Sequence, residues 1–329
     1  MSGVSPGAVI ADPRRPAFHV TPPVGWLNDP YGVIWHGGRY RLFFQYHPEA
    51  PEWTAAMSWG VVDSVDLVRW GAPRVAPRPA TAAIVLAHPD GAQWSGEAEP
   101  VLPGPPAGLA VTHFRDPDVT RTVGGWRMLV GAGLDPPAGA VLGYSSPDLR
   151  KWSYEGVVCT RPDDAEGAWT GSVWECPQLF ELDGAWVLVV SAAAGGRTQH
   201  VAYAVGGFDG SRFVPGPWRR LLNADAAYAT TTFLDDAGRR CALSWLRESG
   251  PTPGRWSGAL SLPMVLSRSG DRVLVSAHPD IATCAPFRPI AWARSARSWC
   301  GPSCRLADGS RSTWERWACA PTVTPPGCG

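Results

Sequence analysis

Four segments of the chain repeat one plan, and this repetition constrains the fold more than any other feature. Each passes through a glycine turn into a short apolar run: Gly38-Arg39-Tyr40-Arg41-Leu42-Phe43-Phe44, Gly124-Gly125-Trp126-Arg127-Met128-Leu129-Val130, Gly184-Ala185-Trp186-Val187-Leu188-Val189-Val190 and, more weakly, Gly238-Arg239-Arg240-Cys241-Ala242-Leu243-Ser244. The runs are aromatic and β-branched and are bounded by Gly and Asp, which marks strands rather than helices. Another element occurs twice, Ser64-Val65-Asp66-Leu67-Val68-Arg69-Trp70 and Ser146-Pro147-Asp148-Leu149-Arg150-Lys151-Trp152, and reads as a turn followed by an outer strand. Units of about four strands recurring at this length predict propeller blades. A β-sandwich with chance similarities between hairpins is the competing fold. It gives no reason for these elements to recur in the same order.

The spacing is uneven. The interval from Gly38 to Gly124 is the widest, with room for more than one blade but less than two. Within it, Trp94-Ser95-Gly96-Glu97-Ala98 has the form of a blade opening, yet no Gly-aromatic strand follows. The chain instead enters Pro100-Val101-Leu102-Pro103-Gly104-Pro105-Pro106. The expectation is an all-β fold of the five-bladed β-propeller type with one incomplete blade, around residues 75–105. An N-terminal extension covers 1–18, the propeller 19–283, and an irregular Cys-, Arg- and Trp-rich tail 284–329.

Three openings carry an acid in an unusual setting: Trp26-Leu27-Asn28-Asp29-Pro30, Phe114-Arg115-Asp116-Pro117 and Trp174-Glu175-Cys176-Pro177. Each acid lies next to a proline or one residue short of it. Equivalent points of a propeller repeat face one axis, so Asp29, Asp116 and Glu175 are expected to converge. Two carboxylates flanking a scissile bond are the minimal equipment for glycoside hydrolysis, one attacking or activating water and the other protonating the leaving oxygen. A partly desolvated site beside other negative charges supplies the raised pKa that the acid needs. A third carboxylate can hold substrate hydroxyls. Metal binding by three acids is the competing chemistry; it would favour Ca²⁺ or Mg²⁺ and has no histidine support.

Composition agrees with a sugar substrate. The formal net charge is zero, which gives no reason to expect nucleic acid or a membrane surface as partner. Eighteen tryptophans in an all-β chain point toward carbohydrate, since aromatic faces stack on sugar C–H faces, although core filling must account for most of them. Met1 to Val20 contains no apolar run of signal-peptide length and no stretch is long enough to span a membrane, so a cytoplasmic location is expected. Cys159, Cys176 and Cys241 are scattered and form no disulfide framework. Cys284, Cys300, Cys304, Cys319 and Cys328 crowd the tail, but their spacing is not that of a zinc knuckle. No metal and no cofactor is expected.

At these acids the chain resembles glycoside hydrolase family 32, the β-fructofuranosidases: invertases, sucrose-6-phosphate hydrolases, levanases and inulinases. The resemblance runs from about His19 to Pro263. It rests on the three acid motifs in order, on Phe44-Gln45-Tyr46 with Trp53, on Tyr228-Ala229 and on Ser257-Gly258-Ala259-Leu260-Ser261-Leu262-Pro263. It implies a five-bladed propeller with an axial funnel and a retaining double displacement that releases fructose from sucrose, sucrose phosphate or fructans. Asp29 matches the nucleophile, Glu175 the acid/base and Asp116 the carboxylate that holds fructose hydroxyls. Trp26, Asn28, Gln45, Trp53, Arg115, Tyr228, Trp245, Trp94 and Ser95 match substrate-lining positions. For Trp53 and Trp245 core packing is the alternative, and for Arg115 an ion pair with Asp116. The Gln45 amide, set in an apolar strand, needs a partner such as a sugar hydroxyl.

The chain also departs from that pattern. Tyr31 stands where the family usually has Asn, Met264-Val265 replaces Arg-Glu, and Ala226 stands where Asp usually precedes Tyr-Ala. The outer strands of the second blade and the family's C-terminal β-sandwich are expected to be missing, with the Cys-rich tail in place of the latter. A missing blade is expected to expose two apolar faces and unpaired strand edges. A fructosyltransferase using the same site and an inactive carbohydrate-binding propeller are the alternative readings. A structural protein ranks last, having no need of three acids at blade openings.

Overall fold

The structure is a computed structural model that describes residues 12, 15–54, 57–76, 87–90, 93–96, 100–247 and 255–283. All of them lie in one compact unit, Met1–Cys284. The tail 284–329 and most of the extension 1–18 lie outside the described residues.

The fold is a β-propeller built from antiparallel blades. Blade I contains Gly25–His36 (β1), Arg39–His47 (β2), Ser58–Ser64 (β3) and Arg74–Ala76 (β4). Next comes a two-stranded hairpin, Ala87–Asp90 (β5) and Gln93–Gly96 (β6), whose strands pair with each other. Blade III contains Val111–Thr122 (β7), Gly125–Leu134 (β8), Ala138–Ser146 (β9) and Ser153–Pro162 (β10). Blade IV contains Val173–Leu182 (β11), Ala185–Ala194 (β12), Arg197–Phe208 (β13) and Phe213–Arg220 (β14), and joins blade III through the pairing of Val173 with Gly133. Blade V begins with Ala227–Leu234 (β15) and Arg240–Leu246 (β16). The short strands Trp256–Ser257 (β17) and Ala259–Leu260 (β18) follow, then Met264–Ser269 (β19) and Arg272–Ala277 (β20). One short helix, Pro279–Thr283 (α1), ends the described chain. Among the described residues no helix is long and apolar enough to cross a membrane.

Each glycine-led run is the second strand of a blade: β2, β8, β12 and β16. These strands lie between two neighbours in the sheet and between two blades, so β12 reads as an almost unbroken buried run. The paired Ser-x-Asp elements form the same turn twice. The Ser64 hydroxyl and Asp66 carboxylate bond each other, Asp66 accepts the Val68 and Arg69 amides, and Leu67 adopts φ 59°. Ser146, Asp148 and Leu149 repeat that geometry with φ 66° at Leu149. In both, the indole of the tryptophan that closes the motif donates 3.0 Å to the leucine carbonyl, locking the turn before the outer strand.

Apolar side chains fill the space between blades. Leu27, Leu42 and Phe44 of blade I pack with Tyr228, Phe233 and Leu243 of blade V. Trp174, Leu188 and Phe213 of blade IV pack with Leu129 and Val141 of blade III. The other face of blade III, around Met128, Val130 and Leu142, is covered by Leu102 and Leu109 from the connector before β7. This connector thus shields a face that an incomplete second blade was expected to expose, and burial there gains about 25 cal/mol per Å².

The Ser257–Pro263 motif is the clasp of the ring. β17 pairs in parallel with β1, while β18 pairs with β16, so a few residues stitch blade V to blade I. Gly258, at φ +85°, makes this possible: a Cβ there would lie 1.8 Å from the Leu27 carbonyl oxygen.

Candidate active site

The inner strands of blades I, III, IV and V share one local irregularity. Register slips between Leu27 and Pro30 in β1, between Arg115 and Asp118 in β7, between Glu175 and Gln178 in β11, and between Tyr228 and Thr231 in β15. A β-bulge bends the strand and re-aims the side chains at it. Proline is tolerated where the ladder is already broken, because it has no N–H to leave unpaired. This is why Pro30, Pro117 and Pro177 accompany the acids. Asp116, Cys176 and Ala229 take the left-handed backbone conformation at φ 56°, 47° and 47°, which an ordinary strand residue avoids. Asp29 and Asp116 sit within their bulges, and Glu175 and Tyr228 open theirs.

The three carboxylates share one electrostatic environment. Burial first, then the charges of Asp116 and Glu175, push the Asp29 carboxyl up to about 8, against a hydrogen bond from Asn28 that favours its ionised form. Burial and Glu175 push Asp116 up to about 6, while the Arg115 charge and bonds from Cys176 pull the other way. One of those bonds is the Cys176 amide donating 3.2 Å to Asp116 Oδ2. Raised this far, the Asp29 carboxyl retains its proton at neutral pH.

Glu175 is held from two sides. Arg115 Nη1 donates 3.1 Å to Oε1, and the buried Tyr228 hydroxyl donates 2.6 Å to Oε2. The ion pair expected between Arg115 and Asp116 is therefore made with Glu175, because Asp116 lies inside the bulge facing the Cys176 amide. The strand behind Glu175 is fixed by Trp174, fully buried, with its indole donating 2.9 Å to the Thr170 carbonyl. Trp174 occupies space that only a glycine leaves open, since a Cβ on Gly139 would lie 2.2 Å from its Nε1.

Polar side chains of blade I form a chain beside Asp29. Trp26 Nε1 donates 3.1 Å to Asn28 Oδ1, and Asn28 Nδ2 donates 2.7 Å to Gln45 Oε1. The partner that the Gln45 amide required is thus Asn28. Trp245 is buried, edge-on to Trp26 at 5.6 Å and to Tyr228 at 6.5 Å, and belongs to the core between blades I and V. Trp53 does not pack in the core; it is 61% exposed. Trp94 and Ser95 lie in β6, inside the hairpin, and their side chains lie outside the described residues.

Two contributors lacked an acid to flag them. Gln178 Nε2 donates 3.0 Å to Asp118 Oδ1, and its Oε1 accepts 3.0 Å bonds from the Thr232 amide and hydroxyl. Tyr31 donates from its hydroxyl to the Pro117 carbonyl. Both positions follow a bulge, so the bulge spacing itself was the available signal. A second cluster, Asp235, Cys241 and His278, has ligand-like geometry. Arg239 Nε already donates 2.5 Å to Asp235 Oδ2 and His278 Nε2 lies 3.1 Å from the same oxygen, so the guanidinium occupies the place a cation would take.

Comparison with known proteins places these features in context. The family model described as "Glycosyl hydrolases family 32 N-terminal domain" matches residues 19–83 and 78–278. The chain is 29% identical to a sucrose-6-phosphate hydrolase of Bacillus subtilis, over 82% of this chain and 66% of that protein. It is 31% identical to a levanase of the same organism, over 77% of this chain and 44% of that one. Among solved structures, the β-fructofuranosidase BmSUC1 of Bombyx mori superposes with TM-score 0.72 at 26% identity, over 83% of this chain and 67% of that one. A variant of that enzyme in complex with sucrose matches at TM-score 0.69. The chain spans less than two-thirds of the length of the sucrose-6-phosphate hydrolases it matches, 66% and 63% for the Bacillus subtilis and Escherichia coli proteins.

Proposed function

The chain belongs to glycosyl hydrolase family 32, and on that premise we propose that it hydrolyses β-fructofuranosidic bonds in sucrose, sucrose phosphate or fructans. The observation that carries this reading is the delivery of three carboxylates by equivalent bulges of separate blades, with Arg115 and Tyr228 bonded to one of them. Such a site is rich in acceptors and carries one flanking cation, which suits a polyhydroxylated substrate without positive charge.

The proposed reaction is a retaining double displacement. Asp29 attacks the anomeric carbon of the fructosyl unit while Glu175 gives a proton to the departing glycosidic oxygen. A fructosyl ester on Asp29 results. Glu175 then takes a proton from water, whose oxygen attacks the same carbon, freeing fructose and regenerating the Asp29 carboxylate. Asp116 accepts hydrogen bonds from fructose hydroxyls, and its negative charge stabilises the positive charge developing at the ring. Asn28, Gln45 and Trp26 line the fructosyl side, and Trp53 offers an exposed face to the leaving group.

This chemistry needs one carboxyl ionised and one protonated. Burial favours the proton on Asp29, whereas attack requires Asp29 to be ionised. The proposed roles therefore require Asp29 to lose its proton when the fructoside is bound. Fructose release from sucrose, inulin and levan tests the assignment. Asp29→Ala and Glu175→Ala should each abolish release while the far-ultraviolet circular dichroism stays unchanged. Full activity in either folded variant would refute the roles.

A further inference from the structure

The ring has one seam unlike the others. Blades I and V share the clasp, blades III and IV share Asp116 with Cys176 and Asp118 with Gln178, and blades IV and V share Glu175 with Tyr228 and Gln178 with Thr232. Between blades I and III, where the described part of the second blade is the β5–β6 hairpin, the inner strands meet through Tyr31. Its hydroxyl donates to the carbonyl of Pro117, inside the bulge that holds Asp116 in its left-handed conformation. Its ring is braced from behind by Trp59 of β3, at 5.7 Å.

These bonds form a continuous belt one step along the axis from the acids: Tyr31 to Pro117, Asp118 to Gln178, and Gln178 to Thr232. The bulges of β1, β7 and β11 are thus each tied to the next blade by a residue close to them in the strand. Tyr31 also lines a cavity of about 340 Å³ with Gly32, Val33, Ile34, Asp118, Thr120 and Thr231.

We propose that Tyr31 is a positioning residue: a strut between blades I and III that sets the distance between the bulge carrying Asp29 and the bulge carrying Asp116. The inference deepens the hydrolase reading, since it concerns the same three acids, and rests on that reading for its catalytic consequence. The phenol is suited to the task. Burial, and then the charges of Asp118, Asp116 and Cys176 that face it, keep it protonated and hence a permanent donor. Phenylalanine preserves the ring against Trp59 and removes the hydroxyl alone. A strut of this kind acts through geometry, and small displacements at a catalytic centre carry large rate effects.

The test uses the full chain and Tyr31→Phe, with two readouts. The first needs no turnover: ¹³C NMR titration of the aspartate and glutamate carboxyls. Loss of the strut should separate the acids and admit water, lowering the Asp29 titration midpoint by about half a pH unit or more. The second is fructose release, in which kcat should fall about tenfold with KM changed less than about twofold. Val273→Ala, a core truncation in the outer strand of blade V, controls for lost stability and should leave the titration unchanged. If the wild-type chain releases no fructose, the hydrolase reading fails, and the titration still decides the strut. Identical titrations in wild type and Tyr31→Phe would overturn the proposal, as would an equal shift in Val273→Ala.

Discussion

Replacing Asp29 by asparagine should stabilise the protein at neutral pH while removing its chemistry. In the fold this carboxyl is pushed from 3.8 to about 8, by burial first and then by Asp116 and Glu175. The native state therefore binds the proton more tightly than the unfolded chain. That contribution is fully present below about pH 3.8 and is lost as pH rises toward about 8. At pH 7 the unfolded Asp29 is ionised and the folded one largely is not, which costs about 1.4 kcal/mol for each pH unit between 3.8 and 7, or about 4 kcal/mol at most. Screening by water and relaxation of the neighbouring acids should reduce this to about 2 kcal/mol. The asparagine side chain keeps the shape and cannot ionise, so the cost disappears. Thermal unfolding of Asp29→Asn and wild type should differ by about 4–6 °C at pH 7 and by almost nothing at pH 4. A gain of equal size at both pH values, or none at pH 7, would refute the reasoning.

Four further outcomes follow from the same geometry. Glu175→Gln should lower fructose release about 10³-fold with little change in melting temperature, measured by steady-state assay and calorimetry. Asp29 must be ionised to attack and its carboxyl is pushed up to about 8, so kcat/KM should rise as pH climbs toward about 8; a profile flat from about pH 5 to about pH 8 contradicts this. Gly139→Ala places a Cβ 2.2 Å from the Trp174 indole nitrogen and should cost about 2–3 kcal/mol in urea unfolding. In Glu175→Ala, where hydrolysis of the ester is slowed, an activated fructoside should leave one fructosyl unit on the peptide carrying Asp29, read by mass spectrometry.

The blades were legible because their signals are local. A glycine turn with an apolar run needs no long-range information, and the Ser-x-Asp-Leu turn encodes its own hydrogen bonds, so β2, β8 and the turns at Leu67 and Leu149 could be read directly. The acids were legible for a related reason: a proline beside a carboxylate in a strand marks a broken ladder. Partnerships across blades were not legible. Arg115 pairs with Glu175 instead of its neighbour Asp116, and Gln45 is satisfied by Asn28, because the bulges decide which side chains meet and their angles are not written in spacing. The cover that Leu102 and Leu109 give blade III was hidden because the chain there runs through prolines where a Gly-aromatic strand would stand. Tyr31 appeared only as a departure from a family pattern until its hydroxyl was placed on Pro117.

The central claim is that these bulges assemble a working fructosidase centre, and the most direct measurement is fructose release by the purified chain, shown to be folded by a cooperative melting transition. The account predicts release from at least one of sucrose, sucrose phosphate, inulin or levan, and its loss in Asp29→Asn. A folded chain that releases no fructose from any of them, or an Asp29→Asn variant that releases it as fast as wild type, would contradict it.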